Sequence, residues 1–344
     1  MALWSPLLAR AEERTSLNTP YLKEALEKYP DADANHDGIL TEQEALDYRA
    51  KVLARKQAER KAVAPAPTFE NVSYGPHERN VLDFWKADSA TPAPVLVCVH
   101  GGGFRGGSKE TYRAGGLVAE CLAHGISVAA INYRYTTTAP FPAPMLDGAR
   151  ALQFLRSKSK EWNIDPARIG GIGSSAGGDM LVWLACHADF ADPGSADEIA
   201  RQSTKLSFVC GKGAQTFNDP EMIHRFIFSG EQMDEVGFEF YGIKDPAEFH
   251  SERIKKLGYE ASAINFVTKD APPFYLAYNT KQNVGDAPYP EGTPFDVYIH
   301  CPKFGALFKE KCEACGVECE FHYSENPEKP GGQLAFMLRH FGMQ

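Results

Sequence analysis

Two short stretches of this chain carry residues whose types and spacing suit chemistry. Gly173-Ser174-Ser175-Ala176-Gly177 lies between a strand-like run, Arg168 to Ile172, and a helix-like run, Met180 to Ala188. A serine at a sharp strand-to-helix turn is forced into a strained backbone that exposes its hydroxyl, and glycines flank it because side chains there would collide. Ser175 is therefore the candidate nucleophile. The amide of Ala176, at the start of the following helix, can stabilise an oxyanion. Upstream, His100-Gly101-Gly102-Gly103-Phe104 ends the apolar run from Pro94 to Val99. Bare main-chain amides after a strand make Gly102 and Gly103 candidates for the remaining oxyanion donors. Together the two turns suit acyl transfer through a serine nucleophile.

Bringing such turns together takes a sheet. Phe69 to Tyr74 and Asn80 to Trp85 read as strands joined by a polar turn, followed by strand-like runs at Pro94 to Val99, Ile126 to Tyr135, Arg168 to Ile172 and Lys205 to Gly211. Helical stretches intervene at Thr111 to His124, Met145 to Trp162 and Met180 to Ala188. Two more strands, Pro273 to Tyr278 and Val317 to Tyr323, and helices at Phe304 to Cys315 and Gln333 to Phe341 complete the pattern. Strands alternating with helices predict an α/β fold with a doubly wound, mostly parallel sheet. An insertion at about 213–265 interrupts the alternation; it is long enough to cap the site or to sit at the periphery.

The 344 residues, 43% hydrophobic and 24% charged, fit one large globular domain with a small appendage. A net charge of -9 argues against nucleic acid and anionic membrane as partners, and no apolar run is long enough to span a bilayer. Of the eight cysteines, Cys98, Cys121, Cys186 and Cys210 fall in apolar runs. Cys312 and Cys315 could form half a zinc site, but both fall on a helical segment, which favours thiols or a disulfide.

The appendage is a small helix-loop-helix over residues 1–61. Thr19-Pro20 reads as the cap and first turn of a helix running from Tyr21 to Tyr29. Asp33 to Glu44, DANHDGILTEQE, matches the EF-hand-like pattern D-x-[DN]-x-[DN]-G-x5-E. Asp33, Asn35 and Asp37 offer side-chain oxygens, Ile39 its carbonyl, Thr41 a direct or water-mediated contact, and Glu44 both carboxylate oxygens for Ca2+ in a structural role. A single hand of this kind belongs with weak extracellular sites, so the reading favours an exported protein, periplasmic or extracellular. A charged helix from Glu42 to Lys61 leads into the linker at residues 62–68, and the domain of interest is 69–344. The opening residues MALWSPLLARAEE resemble the end of a secretory leader as much as a plain terminus.

From about Phe69 onward the chain resembles the esterase and lipase branch of the α/β-hydrolase fold, close to the hormone-sensitive-lipase-like and feruloyl or acetyl esterase groups. His100 to Phe104, Gly173 to Gly177 and Asp165-Pro166-Ala167-Arg168-Ile169 carry that resemblance. It implies a triad in the order serine, acid, histidine, with the histidine after the last strand. The segment from Ser324 to Gly332 holds no histidine. His300, in the connection before the helix at Phe304, and His322, at the end of the last strand, are the alternatives, as is an arrangement without histidine. Asp296, Asp286 and Glu325 are the candidate acids. Asp296-Val297-Tyr298-Ile299-His300 is similar to the family's D-x-x-V-P acid loop, which places Asp296 first. The reading is a carboxylic ester hydrolase acting through Ser175, His300 and Asp296 on a small-molecule or carbohydrate-linked ester, with no cofactor for catalysis. A serine peptidase of the same fold and a catalytically decayed binding protein are the alternatives.

Overall fold

The computed structural model describes residues 14–49, 51, 65–230, 235–278 and 281–343. The chain divides into two compact units, residues 1–64 and 65–344. In the first, α1 (Pro20–Lys28) and α2 (residues 42–49) flank the acidic loop. Thr19 does not cap α1: its hydroxyl donates to Asn18 Oδ1 at 2.9 Å, so Pro20 alone marks the first turn. Leu22, Ala32 and Leu40 form a small apolar centre. The leader-like residues 1–13, most of the helix expected to reach Lys61, and residues 62–64 of the linker lie outside the described residues.

The second unit is built on an eight-stranded sheet. Its strands are β1 (Phe69–Ser73), β2 (Val81–Trp85), β3 (Ala93–Val99), β4 (Ser127–Ile131), β5 (Ile164–Ser174), β6 (Val209–Lys212), β7 (Phe274–Ala277) and β8 (Cys319–His322), in the order β1-β2-β4-β3-β5-β6-β7-β8. β1, β2 and β4 pair antiparallel, and every other pairing is parallel. The helices are α3 (Leu117–Ala123), α4 (Ala143–Ser157), α5 (Ser159–Trp162), α6 (Ala176–Cys186), α7 (Pro220–Phe226), α8 (Glu235–Tyr241), α9 (Glu252–Ala261), α10 (Phe295–Tyr298), α11 (Lys303–Ala314) and α12 (Gly332–His340). This is the mostly parallel, doubly wound α/β architecture that the alternation predicts.

β3 shows why both faces must be covered. All seven of its residues are buried. Val95, Val97 and Val99 belong to the core that includes Met145 and Leu152 of α4 and Met180 and Leu181 of α6; Leu96 and Cys98 belong to the core with Val118 of α3 and Phe336 of α12. Alternate residues of a strand point to opposite faces, and each large apolar side chain buried this way contributes about 1.5–3 kcal/mol.

Two elements differ in extent from expectation. The helix expected from Thr111 starts only at Leu117, because Gly115-Gly116 separates it from a 3-10 turn at Lys109–Arg113, and glycine is the poorest helix former after proline. β5 runs on to Ser174, so the strand leads directly into the serine turn. The insertion folds as α7, α8 and α9 with 3-10 turns at Pro246–His250 and Ala263–Phe266.

Candidate active site

Ser175 stands between the end of β5 and the start of α6 with φ 49° and ψ −124°, a conformation that non-glycine residues rarely adopt. Its N–H donates to Lys212 O on β6 at 2.8 Å, and its carbonyl accepts from Asp179 N at 2.9 Å, so the strain is held from both sides. The start of α6 packs directly on the end of β3: a β-carbon at Gly177 would lie 2.1 Å from Val99 O. That close approach requires glycine, and it brings the turn following β3 to the serine. Gly102, Gly103 and Ala176 line the same cleft as Ser175, and among the described residues their amides take no hydrogen-bond partner.

The turn after β3 rests on buried polar groups. The His100 ring stacks on Tyr133, with centroids 4.4 Å apart, and its Nδ1 lies 2.8 Å from Gly101 O. A carbonyl only accepts, so Nδ1 carries the proton and Nε2 is left buried without a partner. Burial pushes His100 down to about 4, against its hydrogen bond to Gly101. Tyr133 donates its hydroxyl to His100 O at 2.9 Å, and Arg79 Nε donates to Tyr133 O at 2.7 Å. Just beyond the turn, the fully buried Lys109 pairs with Asp83 of β2 at 2.9 Å and with Glu110 at 2.8 Å, while Arg113 Nε donates to Asp83 at 2.7 Å. Sequence reading missed these supports, because a lysine or tyrosine in a loop carries no signal until its partners are known.

His300 reaches Ser175. Its Nε2 lies 2.9 Å from Ser175 Oγ, and its Nδ1 lies 3.2 Å from the main-chain carbonyl of Asp296. The histidine occupies the turn between α10 and α11. Gln215 Nε2 donates to Ile299 O at 2.7 Å, fixing the preceding residue, and Gly213 (φ +59°) lies beneath the ring, where a β-carbon would come within 3.2 Å of Cδ2.

The structure brings the carbonyl of Asp296, and not its carboxylate, to the imidazole; the side chain is exposed. Asp286 uses its carboxylate to accept from Asn283 N at 2.7 Å, and Glu325 accepts from Tyr323 Oη at 3.1 Å. His322 packs on Tyr275 and faces Glu320 at 3.6 Å, outside the cleft lining. One acid escaped the sequence reading although it lies two residues past the serine motif. Asp179, one helical turn after Ser175, is buried and lines the cleft; Asn218 Nδ2 donates to its Oδ2 at 3.0 Å, and its Oδ1 has no partner. Burial pushes this carboxyl well above the usual range, against the Asn218 bond.

The cleft above Ser175 has a volume of about 1080 Å³. Phe104, Phe228, Phe240, Tyr241, Phe249, Phe295 and Tyr298 give it aromatic walls. Phe228, Phe240, Tyr241 and Phe249 come from the insertion, which therefore forms part of the site.

In the first unit, the carboxylates of the acidic loop accept from the loop's own groups. Asp33 accepts from Asp37 N at 3.3 Å and Gly38 N at 2.8 Å, Asn35 Oδ1 from Asp37 N at 2.9 Å, and Asp37 from Ile39 N at 2.8 Å. Glu44 accepts from Thr41 N at 3.0 Å and Oγ1 at 2.8 Å, and these bonds hold its carboxyl below the usual range. Among the described residues, no three His, Cys, Asp or Glu side chains converge as a metal set, and all eight cysteines are free thiols. The Cys312–Cys315 pair falls in the α11 region, with Cys312 fully buried.

A protein-family model described as BD-FAE matches residues 82–286. Esterase LipQ of Mycobacterium tuberculosis is 26% identical over 227 residues, covering 63% of this chain and 49% of that protein. The probable carboxylic ester hydrolase LipM of the same organism is 27% identical over 220 residues, covering 62% and 48%. The chain thus spans about half the length of the curated relatives it matches. Among solved structures, the acetyl ester-xyloside bifunctional hydrolase from Caldicellulosiruptor lactoaceticus superposes with a TM-score of 0.57 at 21% identity, covering 80% of this chain and 92% of that one. A truncated carbohydrate esterase from gut microbiota gives 0.61 at 20% identity, covering 80% and 96%. At these identities the likeness establishes the α/β-hydrolase fold.

Proposed function

From its membership of the BD-FAE family, we propose that this chain is a carboxylic ester hydrolase working through a serine nucleophile and an acyl-enzyme. The observation that carries the reading is the 2.9 Å approach of His300 Nε2 to Ser175 Oγ beside three unpartnered amides. Nε2 takes the hydroxyl proton as Oγ attacks the ester carbonyl. The tetrahedral oxyanion is received by the N–H groups of Gly102, Gly103 and Ala176, each worth about 2.7–4 kcal/mol by analogy with a side-chain donor. His300 then returns the proton to the leaving alcohol, and water, activated by the same nitrogen, releases the acid. The aromatic cleft supports a small-molecule or carbohydrate-linked ester as substrate.

The test is hydrolysis of p-nitrophenyl acetate and butyrate, with fluorophosphonate labelling, by the wild type and by Ser175→Ala. Turnover and labelling in the wild type, both abolished in the variant, are expected. Activity retained by the variant would refute the assignment, and a wild type that resists the probe would favour a decayed binding protein.

We propose further that the loop from Asp33 to Glu44 binds Ca2+ through Asp33, Asn35, Asp37, the Ile39 carbonyl and Glu44. Its hydrogen bonds support this by ordering the loop around Gly38, although an ion must still draw the carboxylates together. With a Kd of about 10⁻⁴ M, calcium at about 1 mM stabilises the first unit by about 1.4 kcal/mol, which supports an exported location. Isothermal titration of the wild type and of Asp33→Ala measures this; equal, negligible heats from both would end the proposal.

A further inference from the structure

A histidine base works when one ring nitrogen is free to accept and the other is held by an acceptor that fixes tautomer and orientation. In His300 the acceptor is a main-chain carbonyl. Nδ1 faces Asp296 O at 3.2 Å, so the proton belongs on Nδ1 and the lone pair on Nε2 faces Ser175 Oγ at 2.9 Å. The carbonyl belongs to α10, a single turn whose last carbonyls have no helical partner. The main-chain N–H of Ile299 bonds the preceding carbonyl, that of Phe295, at 2.9 Å, and among the described residues no main-chain amide bonds that of Asp296.

Among the described residues, none of the candidate carboxylates hydrogen-bonds His300. The side chain of Asp296 is exposed, Asp286 holds the amide of Asn283, and Glu325 holds the hydroxyl of Tyr323. Asp179 is occupied by Asn218 on one oxygen, and no hydrogen bond joins it to His300 among the described residues. Resting on the ester-hydrolase reading, we propose that the Asp296 carbonyl orients His300 and that Ser175 and His300 act as a dyad with no catalytic carboxylate. The serine proton passes to Nε2 and later to the leaving alkoxide, while the Nδ1 proton never moves. The imidazolium formed in between is met by a carbonyl dipole in place of a formal anion.

The experiment is Asp296→Asn and Asp296→Ala, with Asp286→Asn alongside, measured as kcat/KM against pH and as the rate of fluorophosphonate labelling. Removing a carboxylate that orients a catalytic histidine costs about 10⁴ in kcat. Because each Asp296 variant keeps the main-chain carbonyl and loses only the carboxylate, kcat is expected to fall by about tenfold at most, with the acidic limb of the pH profile unmoved. The other titratable groups lining the cleft are Asp179, Glu221, His224, His250, Tyr241 and Tyr298, which none of the variants alters. A loss approaching 10⁴ in a variant that melts like the wild type would overturn the dyad, as would an acidic limb displaced to lower pH. His300→Ala separates the two readings. If it is inactive and Ser175 labels in the wild type, a dead Asp296→Asn sinks only the dyad. A wild type that neither turns over nor labels sinks both.

Discussion

His100 gives this protein a calculable weakness to acid. The residue is 2% exposed, its ring stacked on Tyr133 and protonated on Nδ1 toward Gly101 O, so a second proton would place a donor on a buried nitrogen that has no acceptor. Folding holds the group at about 4, against an ordinary 6.5. Above about pH 6.5 the ring is neutral whether the chain is folded or unfolded, and it contributes nothing to pH dependence. Below that, the unfolded chain binds a proton that the folded one refuses, so stability falls until about pH 4, where the folded ring titrates as well. A gap of about 2.5 units at about 1.36 kcal/mol each sets a ceiling of about 3 kcal/mol, about 2 of which is lost by pH 5. His100→Asn keeps an amide donor near the Nδ1 position and removes the titration. Denaturant unfolding at pH 7 and pH 5 is then compared between the two proteins. The wild type should lose about 2 kcal/mol more than the variant over this interval, whatever their absolute stabilities. Equal losses would show that His100 titrates normally and that the buried nitrogen is accessible to water.

Gly213→Ala adds a β-carbon 3.2 Å from His300 Cδ2 at a φ of +59°, so it should cost about 1 kcal/mol of stability and lower kcat through a displaced imidazole; a variant with wild-type kcat would mean the ring has room to yield. Lys109→Met leaves the buried Asp83 with Arg113 and the amide of Asn71 but without the cation on its Oδ1, which should destabilise by about 3 kcal/mol, or about 6 °C in melting temperature. A shift below about 1 °C would mean that Arg113 and the Asn71 amide satisfy the carboxylate without Lys109.

The serine turn and the glycine turn were legible in the sequence because each encodes its chemistry within five residues. A strained serine needs small neighbours, and an amide nest needs bare glycines, so composition at those positions reports backbone shape. The alternation of β3, α4, β5 and α6 was legible for a related reason: a strand covered on both faces must be apolar throughout, as Ala93 to Val99 is. The insertion was visible as a break in that alternation, but its residues joined the cleft only when Phe228, Phe240 and Phe249 came over Ser175.

What partners the serine was decided by tertiary structure alone. Three candidate acids and two candidate histidines stood in loop-like or strand-end segments, and residue type could not rank their distances. The sheet order places β6 beside β5 and β7 next to β6, and this carries a histidine 125 positions away in sequence to within hydrogen-bond reach of Ser175. The group facing its other nitrogen is a carbonyl, which every residue possesses. A sequence names side chains, so an orienting group supplied by the main chain leaves no trace in it until the chain has folded.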